Sequence, residues 1–97
     1  MYVIILTYTV PLEEMDRLRP AHLAFLDQHY ASGLFLASGR QNPPVGGVIL
    51  ARDIEIAKLE EILKQDPFYI EKAATHQIIA FNPNKFGAGV QEMIEAA

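Results

Sequence analysis

The sequence predicts an α+β fold of the ferredoxin-like type, a βαββαβ antiparallel sheet with its helices on one face. Three observations carry this. Tyr2 to Thr9 and Ala74 to Phe81 are short runs rich in β-branched and aromatic residues, one near each end of the core. Two longer stretches, Leu12 to Ser32 and Asp53 to Lys64, repeat apolar residues every three or four positions. Between them, Leu34 to Gly39 and Val48 to Ala51 flank Gln41-Asn42-Pro43-Pro44, a turn that cannot join a ladder, so they read as a hairpin.

Each element has a local cause. The first helical stretch places Leu12, Met15 and Leu18 on one face, with Glu13 and Glu14 near its positive end. Pro20 interrupts the pattern. It either kinks one helix or opens a second, where its missing N–H costs nothing. Helical spacing continues from Ala21 to Ser32 and stops at Gly33, a left-handed cap. Asp53 is the expected N-cap of the next helix, which buries Ile56, Leu59, Ile62 and Leu63. Asp66-Pro67 starts a further turn, Asn82-Pro83-Asn84 ends the last strand, and Gly87 to Ala97 is a tail. In that tail Val90, Met93, Ile94 and Ala97 are spaced for a small amphipathic helix.

Composition narrows the class of function. Ninety-seven residues make one domain, and 51% of them are hydrophobic, a high share for so small a body. Strand one presents Ile4, Leu6 and Tyr8 to one side and Val3, Ile5 and Thr7 to the other, so neither side suits water. A homodimer that stacks sheet on sheet is the expected remedy. Eight basic against twelve acidic residues give −4, with no Lys/Arg cluster for nucleic acid and no polybasic stretch for anionic lipid. The absence of cysteine excludes disulfides, thiolate metal sites and cysteine nucleophiles, and suits a cytoplasmic protein. Met1 to Leu6 has no basic leader or cleavage site, and no apolar run reaches membrane-spanning length.

Two residues point to chemistry. His22 follows Arg19-Pro20-Ala21, and Asp66 begins Asp66-Pro67-Phe68-Tyr69. A histidine titrates near neutrality, and a carboxylate can fix its tautomer and hold its charge. If Pro20 opens a helix, His22 lies in the first turn, where the helix dipole favours a neutral general base. The plainer reading of His22 is a partly buried imidazole bonded to a backbone carbonyl. For Asp66 it is an N-cap before a proline. Capping and catalysis are compatible, since one carboxylate oxygen can cap while the other accepts from an imidazole. His29, about 10 Å from His22 along a helix, reads as a surface or interface residue. His76 reads first as a solvated or interfacial strand residue; a site built from His22, Asp66 and His76 is the alternative, which nothing in the spacing demands, and no metal site is expected. Ser38 and Gly39 end the second strand, where a hydroxyl and backbone N–H groups can meet an anion. Arg19 and Arg40 suit a carboxylate, Tyr8 and Phe68 suit a pocket wall, and Gly46-Gly47 is a strand start, not a phosphate loop.

Arg19-Pro20-x-His22-Leu23-x-x-Leu26, Gly33-Leu34-Phe35-Leu36-Ala37-Ser38-Gly39 and Asp66-Pro67-Phe68, in that order, resemble the YciI-like (YCII-related) family. The resemblance spans Met1 to about Phe81. With it, residues 1–97 read as a single YCII-related domain, a core over 1–82 followed by a tail over 83–97. The resemblance implies a dimeric α+β barrel. It also implies that His22 and Asp66 correspond to the family's His–Asp active-site pair, with Ser38 and Gly39 beside the pocket. One similar protein class is a chloromuconolactone dehalogenase, and the wider superfamily includes muconolactone isomerases and cofactor-free monooxygenases. The chain departs from the pattern at Arg40, where a proline often follows the glycine, and in its tail after Pro83.

These readings predict a cofactor-independent small-molecule enzyme using His22 and Asp66 for general acid/base chemistry of the lyase, isomerase or dehalogenase type. Ser38, Gly39, Arg19, Arg40 and Phe68 would contact a small, anionic or carbonyl-bearing substrate. The alternative is a non-catalytic homodimer that binds or senses a small ligand. A third reading is an interaction module with a vestigial pocket.

Overall fold

In the computed structural model, which describes residues 1–96, the most β-branched segment becomes the centre of the sheet. β1 (Tyr2–Tyr8) is flanked on both sides, by β3 (Gly46–Ala51) and by β4 (Ala74–Ala80), while β2 (Phe35–Arg40) lies outside β3. The order β2-β3-β1-β4 is antiparallel throughout, as the ferredoxin-like reading predicts. Leu6 of β1 stands opposite Gly47 on one side and His76 on the other, so these positions share one face.

α1 (Leu12–Ala31) and α2 (Ile56–Leu63) cover that face, joined by the single-turn α3 (Pro67–Ile70). Ile4, Leu6, Ile49, Met15, Phe25, Leu59 and Phe68 form the core between sheet and helices. α1 is one helix that runs unbroken through Pro20. The proline neither opens a second helix nor ends the first; its missing N–H leaves the Asp16 carbonyl without a helical partner. The apolar stripe Met15, Leu18, Phe25 and Leu26 outweighs that local cost, and His22 occupies a slot within it. Gly33, at φ +84°, turns the chain out of α1 as expected of a left-handed cap.

Two local expectations are corrected. Asp53 does not cap α2; its carboxylate pairs with the terminal ammonium of Met1, and Glu55 holds the N-cap position without a side-chain bond. α2 therefore begins at Ile56, whose side chain is left exposed while Leu59 and Leu63 are buried. The tail forms α4 (Val90–Glu95), tethered by Arg52 through the Met93 carbonyl at 3.1 Å. Ala97 lies outside the described residues.

The opposite face of the sheet carries Val3, Ile5, Val48 and Leu50, half-buried, with Ile79 exposed. None of the described helices covers it. None of those helices is long and apolar enough to cross a membrane.

The β2–β3 hairpin carries the feature that shapes the site. Register slips between Phe35 and Ala37, so Phe35 faces Ala51, yet Ser38 faces Ile49 and Arg40 faces Gly47. This bulge at Leu36 moves Ser38 and Arg40 onto the helix side, where simple alternation from Phe35 would have placed Ala37 and Gly39. Gly46 has a steric reason to be glycine: a Cβ there would lie 1.7 Å from the Leu6 carbonyl oxygen.

Candidate active site

α1 and α3 bring together residues far apart in the chain. Asp66 is the N-cap of α3, with Pro67 in the first helical position, and its Oδ1 accepts from the Phe68 N–H at 3.0 Å. The same Oδ1 meets Nδ1 of His22 at 2.8 Å. Oδ2 meets Nε2 of His76 at 3.1 Å. One oxygen thus serves both cap and imidazole, and the second is taken by a residue that the sequence reading had assigned to solvent or an interface.

Asp66 is wholly enclosed, at 0% exposure. Burial by itself would push its carboxyl up. Hydrogen bonds from His22 and His76, the nearby charge of His22 and the Phe68 N–H outweigh that push and hold it below the ordinary 3.8. The carboxylate is therefore ionised across the neutral range and can only accept. Both imidazole nitrogens that touch it must donate, so the nitrogen of His22 turned away from the carboxylate is Nε2. The expectation that a helix N-terminus would help keep His22 neutral is not met. His22 sits mid-helix, beyond the reach of the first-turn dipole, and its environment is set by Asp66 and the ring of Phe68.

The His22 ring lies against a cavity of about 140 Å³ between α1 and the sheet. Arg19, Ser38, Gly39, Arg40 and Phe68 all line it, as do Tyr8, Leu23 and Leu26. Phe68 stacks flat on His22, and Tyr8 meets Phe68 edge to face. Arg19 and Arg40 converge on Oδ1 of Asp16, at 3.5 and 3.2 Å, and the Arg40 guanidinium lies 5.9 Å over the Tyr8 ring. The Ser38 hydroxyl is hydrogen-bonded to that of Tyr30. Asp66 itself does not line the cavity; it lies behind the imidazole of His22.

His29 is also corrected. It is buried between Phe25 and Phe35, with ring centroids 5.0 and 5.2 Å away, and burial lowers its pKa below 6.5. Among the described residues no group of three or more His, Cys, Asp or Glu side chains is arranged to hold a metal ion. His22 and His76 reach separate oxygens of Asp66 and do not converge on a common point.

The sequence reading missed Asp16 and Tyr30, and held a site shared by His22, Asp66 and His76 only as an alternative. Only His76 left a signal: alternation along β4 places it with Ala74 and Ile78, on the side that the helices cover.

The fold has a solved relative. It is similar to 5-chloro-2-hydroxyhydroquinone dehydrochlorinase (TftG) from Burkholderia phenoliruptrix AC1100, determined in complex with 2,5-dihydroxybenzoquinone. The TM-score is 0.71 and the identity 16%, over 87% of this chain and 96% of that one. No curated protein matches the sequence. The model of the YCII-related domain matches residues 1–82, which include every residue of the cavity and of the Asp66 cluster. The chain is a member of the YCII-related family.

Proposed function

We propose that the protein is a cofactor-independent small-molecule enzyme in which Nε2 of His22 is the general base and acid. The observation that carries this reading is the buried, ionised Asp66 on Nδ1 of an imidazole that lines a cavity. In that tautomer Nε2 takes a proton from substrate. The resulting imidazolium is held by the Asp66 carboxylate, which does not itself become protonated.

The lining suggests the substrate. A cavity near 140 Å³ is about the size that holds one benzene-sized molecule. Arg19 and Arg40 at its wall are paired only with an exposed carboxylate, an interaction worth about 0–1 kcal/mol, so an anionic substrate can displace Asp16. A small anionic or carbonyl-bearing ring compound fits both features. Its C–H bond breaks toward Nε2, and the electron pair left behind forms a new double bond. In an elimination the leaving group departs with its own bonding pair; in an isomerisation the imidazolium returns the proton at another carbon. The structural relative, by name a dehydrochlorinase solved with a dihydroxyquinone, fits this class of reaction. Its ring ligand also matches the cavity's size.

The protein is proposed to work as a cytoplasmic homodimer. The uncovered apolar face of the sheet supports a second copy stacked there, and the lack of cysteine fits a reducing compartment.

The test is a library of lactones, hydroxyquinones and small carboxylic acids assayed with wild type and His22→Ala. A loss of about 10²–10⁴-fold in turnover is expected from the substitution. Turnover that survives it undiminished rejects the role of His22. Compounds that raise the melting temperature yet are recovered chemically unchanged would move the reading to a binding or sensing dimer.

A further inference from the structure

Asp66 is shared between two imidazoles, whereas an acid/base pair needs only one. His22 takes one oxygen at 2.8 Å and His76 the other at 3.1 Å, and no part of the carboxylate meets water. Since the ionised carboxylate can only accept, the nitrogens that touch it donate, and the two that do not touch it are Nε2 of His22 and Nδ1 of His76. Their surroundings differ. The His22 ring borders the cavity. Nδ1 of His76 is shut away from solvent with no hydrogen-bond partner among the described residues, on a side chain only 6% exposed. Protonating it would bury a charge and an N–H with nothing to receive either. The outer nitrogen of one imidazole thus belongs to a ring at the cavity, and that of the other faces no acceptor.

We infer that His76 is a positioning residue for His22, a neutral imidazole whose Nε2–H clamps the far oxygen of Asp66 and so keeps the near oxygen on Nδ1 of His22. The clamp matters because a carboxylate tied at one oxygen can still swing about its Cβ–Cγ bond. Tied at both, it has one orientation. The strand makes the clamp rigid. β4 pairs with the central strand along its whole length, with His76 opposite Leu6 and its side chain pointing to the helix side. By drawing on the second oxygen, His76 also takes part of the carboxylate's charge, so that Asp66 supports an imidazolium at His22 without fixing it there. The inference rests on the proposed role of His22 as the cavity base.

Two measurements on the full chain test it, one of which needs no substrate. Imidazole ¹⁵N–¹H correlation spectra at neutral pH are expected to show His22 as the Nδ1–H tautomer and His76 as the Nε2–H tautomer. A wild-type His76 that is the other tautomer, or an imidazolium, overturns the inference. In His76→Phe the His22 signals are expected to change to a mixture of tautomers. In His76→Gln, where a side-chain N–H can again reach Oδ2, they are expected to stay with wild type. His22 signals unchanged in His76→Phe overturn the clamp, and should that variant not fold, the wild-type spectrum still decides.

The second measurement is steady-state turnover of a substrate found with wild type. His76→Phe is expected to lower kcat about 10- to 100-fold with KM little changed, and His76→Gln to recover most of it. Turnover that His22→Ala abolishes and His76→Phe leaves intact overturns the positioning role alone. Absence of any turnover in wild type removes the enzyme reading while the spectra still decide the clamp.

Discussion

The imidazole of His22 lies ring on ring with Phe68, their centroids 3.9 Å apart and their planes 7° from parallel. Phe68 is fully buried and follows Asp66 by two positions, so α3 delivers both the partner that orients His22 and the surface it rests on. Phe68→Leu keeps most of the volume and removes the flat face. We expect a loss of about 1.5 kcal/mol in urea denaturation. Turnover should fall about 10- to 100-fold as the ring of His22 gains freedom.

Asp66→Asn separates charge from shape. An amide offers a single acceptor oxygen, and its NH₂ would face an imidazole N–H, so one buried donor goes unmet. A cost of about 3 kcal/mol is expected, from that donor and from a weaker cap on α3. Chemical denaturation measures it. Loss of turnover should accompany it even at temperatures where the variant remains folded.

The dependence of stability on pH should have two components. Burial lowers His29 below 6.5, so the unfolded chain binds that proton first, and stability falls as pH drops below about 6.5. Asp66 is held below 3.8, so its contribution is fully present above that value and is lost as pH falls through it toward the lower folded value. Denaturation curves collected between pH 8 and pH 3 should show both declines (roughly the window in which these groups titrate). His29→Leu should shrink the upper decline and leave the lower one.

The uncovered face of the sheet predicts association. Ile5→Lys or Leu50→Lys places a charge in the middle of that face, which a sheet-on-sheet dimer could not accept. Light scattering during size-exclusion chromatography should report two chains for wild type and one for either variant. A wild-type mass of one chain would rule out the proposed dimer.

Much of the fold was legible because its signals are local. The β-branched density of Tyr2 to Tyr8 marks the central strand, helical spacing marks α1 and α2, and Gly33 marks the turn that ends α1. Pro20 left two readings open, and the burial of Met15, Leu18, Phe25 and Leu26 on one continuous stripe decides for a single helix. Asp53 misled because a competing partner, the terminal ammonium, stands nearby only after β1 and β3 have paired.

The site was legible to a different degree. Short motifs singled out His22, Asp66 and the cavity wall, but contacts between elements leave no periodic trace. The bulge at Leu36 shows this well. Nothing in Phe35-Leu36-Ala37-Ser38 announces a slipped register, yet that slip decides that Ser38 and Arg40 face the cavity. His76 stayed a second choice because a strand histidine has no local feature naming its partner, which lies ten positions away across α3.

The position of His76 on the last strand has a consequence for how the protein is made. As the chain leaves the ribosome, residues 1–72 carry His22, Asp66, Phe68 and the cavity wall, but Oδ2 of Asp66 has no partner until β4 emerges and zips onto β1. No nascent fragment that stops short of residue 76 holds the complete cluster, so the centre described here is assembled only as synthesis of the sheet comes to its end.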